Sequence, residues 1–100
     1  MTLHGIHFSK DSIVDFCRTN RIRRLALFGS ILRDDFGPQS DIDVLVEFEP
    51  ETHVGLRFFA LQDELTRLFG RTVDLHTPGF LGKQFRDRVL QEASVQYEAN

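Results

Sequence analysis

The amino-acid sequence predicts an α/β fold in which helices cover the apolar faces of a small sheet. Three observations support this prediction. Short segments that are apolar or alternate between apolar and polar residues, as strands do, recur along the chain. Longer segments with apolar residues at helical spacing lie between them. Gly or Pro lies at most of the borders between segments. Elements in this order form layered structures. With 100 residues, the chain is expected to form a single domain over 1–100.

The first elements follow from a cap, a short apolar run and a glycine. Ser9 is a favourable N-cap and precedes apolar residues at helical spacing, so we expect a helix over about 10–20. Residues 25–28 are apolar and end at Gly29, which is typical of a buried strand. Residues 30–34 predict a brief helical turn before the Gly-Pro break that follows.

The remaining elements follow from periodicity. Residues 41–48 alternate between two faces and predict a second strand. An apolar stripe over 58–68, ended by Gly70, predicts a second helix. Alternation over 72–76 predicts a third strand, and apolar spacing over 81–93 predicts a last helix.

Composition excludes several classes of protein. Twelve basic and fifteen acidic residues give a net charge of −3, which argues against nucleic-acid binding by bulk charge. No apolar run approaches the roughly 20 residues of a membrane span, and no signal peptide is evident, so a cytoplasmic protein is expected. The single cysteine, Cys17, cannot form an internal disulfide and is expected to fill the core.

Three aspartates share the polar faces of the predicted strands. Asp41 and Asp43 lie two residues apart on one strand, and Asp74 lies on the polar face of the next. Grouped carboxylates repel one another, and burial adds to the cost of ionising them, so they favour a bound cation. Mg²⁺ prefers oxygen ligands and usually completes its shell with water and substrate phosphates. The aspartates therefore predict a magnesium site for a phosphate-bearing substrate such as a nucleotide.

The turn after the first predicted strand supplies a candidate phosphate site. Gly29 allows close approach of the backbone, and Ser30 adds a hydroxyl donor at the start of a helical turn, where free N–H groups favour an anion. Neither a P-loop nor a dinucleotide-binding glycine motif occurs in the sequence. The predicted phosphate site is therefore of a different kind.

The order of these motifs resembles a known signature. Gly29-Ser30 is followed after ten residues by Asp41-x-Asp43. This pattern is similar to the nucleotidyltransferase signature of the DNA polymerase β superfamily. It most resembles the minimal nucleotidyltransferases, small proteins often found as antitoxins beside HEPN-domain ribonuclease toxins.

Further residues extend the resemblance over nearly the whole chain. Arg33 matches an arginine shortly after the Gly-Ser pair, Asp74 matches a third aspartate on a later strand, and residues 85–98 resemble the C-terminal helix of the family. The sequence departs from many relatives at 31–32, where the residues are large, and at 34–35, where two aspartates follow the arginine. These departures lie beside the candidate phosphate site and affect the expected shape of its pocket.

The resemblance implies a polymerase β-like fold with a small mixed sheet and helices packed on one face. It implies nucleotidyl transfer with Mg²⁺, two ions being expected and Mn²⁺ an alternative, and with ATP as substrate. Asp41, Asp43 and Asp74 would be catalytic residues and metal ligands, with Asp74 positioning or deprotonating the attacking hydroxyl. The Gly-Ser turn would bind the triphosphate. Arg33 is either a further phosphate contact or a surface residue.

Three functions are compatible with this resemblance. The first is transfer of AMP from ATP to a tyrosine of a partner HEPN toxin, in a complex of the two proteins. The second is an antitoxin that neutralises the toxin by binding alone, which the intact Gly-Ser and aspartate motifs argue against. The third is a transferase acting on a small molecule, which usually needs additional sequence to form an acceptor pocket.

Other polar residues have simpler interpretations. The basic run over 21–24 is a solvated connection or, alternatively, a contact to RNA or an acidic partner. His76 shares the predicted face of Asp74, but a lone histidine is more often a hydrogen-bonded bystander. His4 and His7 have no third ligand nearby in the sequence, so no zinc site is expected there.

Overall fold

The computed structural model describes residues 2–3, 6–33 and 36–99. Six strands and three α-helices occur in these ranges, and two short 3-10 turns follow β3 and β5. In chain order the elements are β1 (Thr2–Leu3), β2 (Ile6–His7), α1 (Lys10–Thr19), β3 (Ile22–Phe28), a 3-10 turn (Gly29–Leu32), β4 (Ile42–Phe48), α2 (Arg57–Phe69), β5 (Val73–His76), a 3-10 turn (Pro78–Phe80), α3 (Lys83–Glu92) and β6 (Ser94–Glu98).

The main sheet is small and mixed, as predicted. Its four strands lie in the order β5-β4-β3-β6. The β3 strand is antiparallel to both β4 and β6, whereas β4 and β5 are parallel. A two-stranded antiparallel pair, β1 and β2, forms separately. The predicted mixed α/β fold is confirmed.

One face of the main sheet carries the larger core, covered by α1 and α2. Alternate residues of the strands point to this face, and each buried aliphatic side chain stabilises the fold by roughly 1.5–3 kcal/mol. The buried cluster includes Ile13, Phe16 and Cys17 of α1, Leu25 and Leu27 of β3, Val44 and Val46 of β4, Leu61, Leu65 and Phe69 of α2, and Val73 and Leu75 of β5.

Local signals set the ends of the first two helices. The Ser9 hydroxyl oxygen accepts a hydrogen bond from the Ser12 N–H at 3.3 Å and caps α1. The α2 helix ends at Gly70, which has a φ of +71° and donates its N–H to the Thr66 carbonyl at 2.9 Å. Both predicted helices are confirmed. Within the described ranges, no helix has the length and apolar character needed to cross a membrane.

The third helix departs from the predicted placement of helices on one face. Its buried side chain, Val89, packs with Phe28 and Leu45 on the opposite face of the sheet. Leu45 lies between Val44 and Val46 along β4, so it points away from the larger core and requires its own cover. The α3 helix provides that cover.

The end of the chain is a strand where the resemblance implied a helix. The α3 helix ends at Glu92, Ala93 has extended backbone, and Ser94–Glu98 pairs with β3. Tyr97 lies opposite Leu25 and packs against the larger core. Helix propensity is a weak preference that tertiary pairing overrides, and here the hydrogen bonds to β3 decide the outcome. The helical interpretation of 94–98 is therefore wrong.

Other element bounds differ by a few residues. The strand predicted over 25–28 begins earlier, at Ile22, and β1 and β2 were not predicted. The helical turn predicted over 30–34 is observed as the 3-10 turn Gly29–Leu32. Asp34, Asp35 and His4 lie outside the described residues.

The basic run forms ion pairs across neighbouring strands. These pairs join β3 and the residue before it to the acidic side chains of β4, β6 and the loop after β4. They are Arg24–Glu47 (3.0 Å), Arg24–Glu98 (3.3 Å), Arg23–Glu47 (3.4 Å) and Arg21–Glu49 (3.8 Å). Each such surface pair contributes about 0–1 kcal/mol. All three arginines of the basic run therefore take part in ion pairs within the fold.

Cys17 lies in the core, as predicted. Its side chain is fully buried on α1. Burial raises the pKa of the Cys17 thiol to about 12, because the thiolate would lose its hydration. The thiol therefore stays protonated at neutral pH and serves as a small apolar side chain.

Candidate active site

The turn after β3 brings the backbone of Gly29 against a carboxylate of β4. Phe28 pairs with Asp43 in the antiparallel register, so the residue after Phe28 leaves the sheet beside that aspartate. Gly29 has a backbone φ of +77°, which residues other than glycine rarely adopt. A Cβ at Gly29 would collide with Asp43 Oδ2 and lie 3.3 Å from Asp43 Cγ. Glycine is therefore required here both by conformation and by space.

The parallel register of β4 and β5 brings three polar side chains together. Asp43 pairs with Asp74, and Leu45 pairs with His76, on the face opposite α1 and α2. His76 Nε2 lies 3.2 Å from Asp74 Oδ2 and 3.6 Å from Asp43 Oδ1. The His76 ring also contacts Phe28 edge-on, with 5.2 Å between ring centroids. One ligand atom from each of Asp43, Asp74 and His76 lies within 4.8 Å of the others.

Ionisation of Asp43 is disfavoured in the cation-free protein. Burial raises the pKa of the Asp43 carboxyl, the neighbouring charge of Asp74 raises it further, and Asp41 adds a smaller effect. His76 opposes these effects through its charge. A divalent cation would compensate both the burial and the repulsion. The donor set therefore fits a hard divalent cation such as Mg²⁺, which prefers carboxylate oxygens.

Asp41 lies beside this cluster rather than within it. It is exposed, directly before β4, and its charge reaches Asp43. Two of the three predicted aspartates thus belong to the compact group, together with His76, which was interpreted as a bystander. The shared face of Asp74 and His76 in the alternating strand was the signal that could have included His76.

A cavity of about 570 Å³ opens beside Asp43. The predicted residues Gly29, Ser30 and Arg33 lie along one wall. The α3 helix forms another wall, which sequence reasoning did not anticipate. The residues that complete the lining are Phe28, Phe85, Arg88, Val89 and Glu92. The volume lies within the roughly 300–1,000 Å³ of small-molecule sites.

Arg71 holds the loop that leads into β4. Its Nη2 donates hydrogen bonds to the carbonyl oxygens of Gly37 at 2.8 Å and Ser40 at 2.6 Å. Its guanidinium also lies 4.8 Å from the centroid of the Phe36 ring. Ser40 directly precedes Asp41, so Arg71 sets the backbone path into the aspartate motif. A single arginine outside any motif offered no signal for this role.

The chain was compared with known protein families and structures. The model of the nucleotidyltransferase domain matches residues 10–96, which is most of the chain and includes the Gly-Ser turn and all three aspartates. The chain belongs to the nucleotidyltransferase domain family. The predicted family is thereby confirmed.

Relatives of this nucleotidyltransferase have known names or structures. It is 37% identical over 71 residues to the protein adenylyltransferase MntA of Thermococcus cleftensis, covering 71% of each chain. It superposes with a TM-score of 0.73 on a chain of a toxin–antitoxin crystal structure with AMP-PNP, at 20% identity, covering 93% of this chain and 76% of the other.

A second structure is a complex of a tri-AMPylated Shewanella oneidensis HEPN toxin with an MNT antitoxin. Its matched chain superposes with a TM-score of 0.65 at 21% identity, covering 90% of this nucleotidyltransferase and 70% of the other chain. At these identities, the two structural matches establish the shared fold.

Proposed function

We propose that this nucleotidyltransferase is a protein adenylyltransferase antitoxin, which transfers AMP from ATP to a tyrosine of a partner HEPN toxin. The observation that carries the proposal is the contact between Gly29 and Asp43 at the edge of a nucleotide-sized cavity. The names of the relatives support it, since one is a protein adenylyltransferase and a fold neighbour forms a complex with an AMPylated HEPN toxin.

The acidic residues would hold the metal. Asp43 and Asp74 face one another across β4 and β5, and Asp41 lies at the entrance of the same strand. We propose these three as ligands of Mg²⁺, with two ions expected and Mn²⁺ as an alternative. When bound, the cation offsets the charge of the triphosphate and favours the alkoxide form of an attacking hydroxyl.

The turn after β3 would bind the nucleotide phosphates. Gly29 lets the backbone approach the phosphates, and the Ser30 hydroxyl adds a hydrogen-bond donor. Arg33 lines the same cavity, so of its two interpretations we propose the phosphate contact. ATP is the expected nucleotide because the structural neighbour was crystallised with AMP-PNP. Its use is consistent with the expected cytoplasmic location, where ATP is available.

The transfer itself requires little beyond positioning and charge. The tyrosine oxygen forms a bond to the α-phosphorus, the bond from that phosphorus to the bridging oxygen breaks, and diphosphate leaves. Asp74 is half-exposed at the edge strand β5, where it can orient the incoming hydroxyl and accept its proton. A tyrosine hydroxyl on a docked protein can reach this edge strand directly, so this chain does not need to enclose an acceptor pocket.

Intact-mass spectrometry of the partner tests the proposal. We expect the HEPN protein to gain AMP when incubated with this chain, ATP and Mg²⁺, and diphosphate to appear in equal amount. The matched control is Asp43→Asn, which should leave the partner unmodified. If the partner stays unmodified with the parent protein while the toxin is fully inhibited in a tight complex, the chain is instead an antitoxin that acts by binding.

A further inference from the structure

The α3 wall of the cavity consists of one helical face. Arg88, Val89 and Glu92 lie three, four and seven residues after Phe85, so the four side chains project from the same side of α3. Val89 is buried against Phe28 and Leu45, and it anchors this side of the helix to the sheet. The other three residues are exposed around it and face the cavity.

Among the residues that the structure describes, no side-chain hydrogen bond or ion pair accounts for the position of Arg88. It forms no ion pair with any residue in the described ranges, although Glu92 lies one turn further along the same helix face. The arginines of the basic run, by contrast, are paired with glutamates. A guanidinium without a partner at the wall of a cavity can bind an anion, and its planar donors match phosphate oxygens.

The other residues that line the cavity indicate which anion this would be. Gly29, Ser30 and Asp43 line the same cavity as Arg88. A triphosphate bound at the Gly-Ser turn therefore lies in the cavity that Arg88 also lines. Glu92 would repel phosphate, which favours the end of the α3 wall formed by Phe85 and Arg88.

We propose that Arg88 is a second arginine of the nucleotide site and binds the triphosphate from the side of α3. This inference rests on the proposed function only in that the cavity takes a nucleoside triphosphate. Arg88 adds a positive charge from a helix that lies outside the Gly-Ser and aspartate motifs. The α3 helix is thereby part of the nucleotide site as well as a cover for Leu45.

Equilibrium binding of two probes tests this role without the partner protein. The probes are ATP and inorganic tripolyphosphate, each with Mg²⁺, titrated by calorimetry. Arg88→Gln is expected to weaken both by about tenfold, since a charge-assisted contact to phosphate is lost. The matched control is Arg86→Gln, which removes the same charge from the same helix outside the cavity lining, and should change affinity by less than about twofold. Circular dichroism verifies that both variants are folded.

The outcomes separate this inference from the proposed function. Unchanged binding of both probes by Arg88→Gln, or an equal loss in Arg86→Gln, would show that the inference is wrong. A loss for ATP alone would place Arg88 at the nucleoside and also overturn the triphosphate contact. If Arg88→Gln weakens binding of both probes by about tenfold, but the parent transfers no AMP to the partner, the inference stands and the proposed transfer fails. A parent that binds neither probe contradicts both.

Discussion

Gly29 lies so close to Asp43 that a larger residue at position 29 requires the turn or the carboxylate to move. The Cβ of any side chain would overlap Asp43 Oδ2, and the backbone at Gly29 has a φ of +77°. The contact arises because Phe28 pairs with Asp43, so the chain turns out of β3 beside that carboxylate. The phosphate turn and the proposed metal ligand therefore depend on one another's position.

Gly29→Ala should abolish ATP binding by displacing the Asp43 carboxylate. The new methyl group collides with Oδ2, so the turn or the aspartate must move. The control is Gly70→Ala, because Gly70 has a similar φ of +71° but open space around its Cβ position. Both variants should lose about 1–2 kcal/mol of stability through backbone strain. Calorimetric titration with Mg-ATP should detect binding only in Gly70→Ala, and normal binding by Gly29→Ala would refute the prediction.

Asp43→Asn should remove the stabilisation by Mg-ATP without harming the cation-free fold. Neutralising Asp43 relieves both the burial of a charge and its repulsion by Asp74. The parent should gain about 2.7 kcal/mol of stability at a ligand concentration 100-fold above Kd. Thermal unfolding measures both effects. An Asn variant stabilised by Mg-ATP as strongly as the parent would remove Asp43 from the metal site.

The pH dependence of stability should follow from the raised pKa of Asp43. Because this carboxyl binds its proton more tightly in the folded than in the unfolded chain, its contribution is most favourable below the unfolded pKa, and it is lost as pH rises through the folded value. Without metal, the parent should therefore lose stability relative to Asp43→Asn as pH rises from about 3.8 toward neutrality. Denaturant titrations at several pH values measure the difference, and a constant difference would contradict this assignment.

Asp74→Asn should slow transfer more than it weakens ATP binding. Asp74 is half-exposed on the edge strand β5, whereas Asp43 lies at the cavity. The amide can still accept a hydrogen bond from a hydroxyl, but it is a poor base and a poor metal ligand. Single-turnover AMP transfer and calorimetric ATP titration separate the two effects. If affinity falls as much as the rate, Asp74 acts in nucleotide binding instead.

Arg71→Ala should disturb the aspartate motif from outside the site. The variant loses hydrogen bonds to the carbonyls of Gly37 and Ser40, so the free energy of unfolding should fall by about 1–3 kcal/mol. Affinity for Mg²⁺-ATP should fall as well, since the loop leads directly into Asp41. Arg67→Ala, at an exposed position on α2, is the control. Should the two variants bind Mg-ATP equally, the loop does not position the site.

The local sequence determined α1 and α2, because both have an apolar stripe and a clear signal at one end. It also determined the strand faces on which Asp43 and Asp74 lie. Alternation with a period of two places Asp43 on the face of β4 opposite Ile42 and Val44 in any sheet, because strand side chains alternate, whereas Asp41 lies directly before β4. The Gly-Ser turn and the spacing to the aspartates were also visible, since they depend on neighbouring residues. These motifs carried the resemblance to the family, and the match over residues 10–96 confirmed it.

Tertiary structure alone decided which distant residues meet. The parallel register set Asp74 against Asp43 and brought His76 into the cluster, and no local pattern encodes a register between strands separated by a helix. Residues 94–98 became a strand because β3 offered an edge for backbone hydrogen bonds, which their own propensity could not foretell. The cavity depends on the packing of α3 over Leu45. The residues that line the cavity come from segments far apart in the chain, and only tertiary packing brings them together.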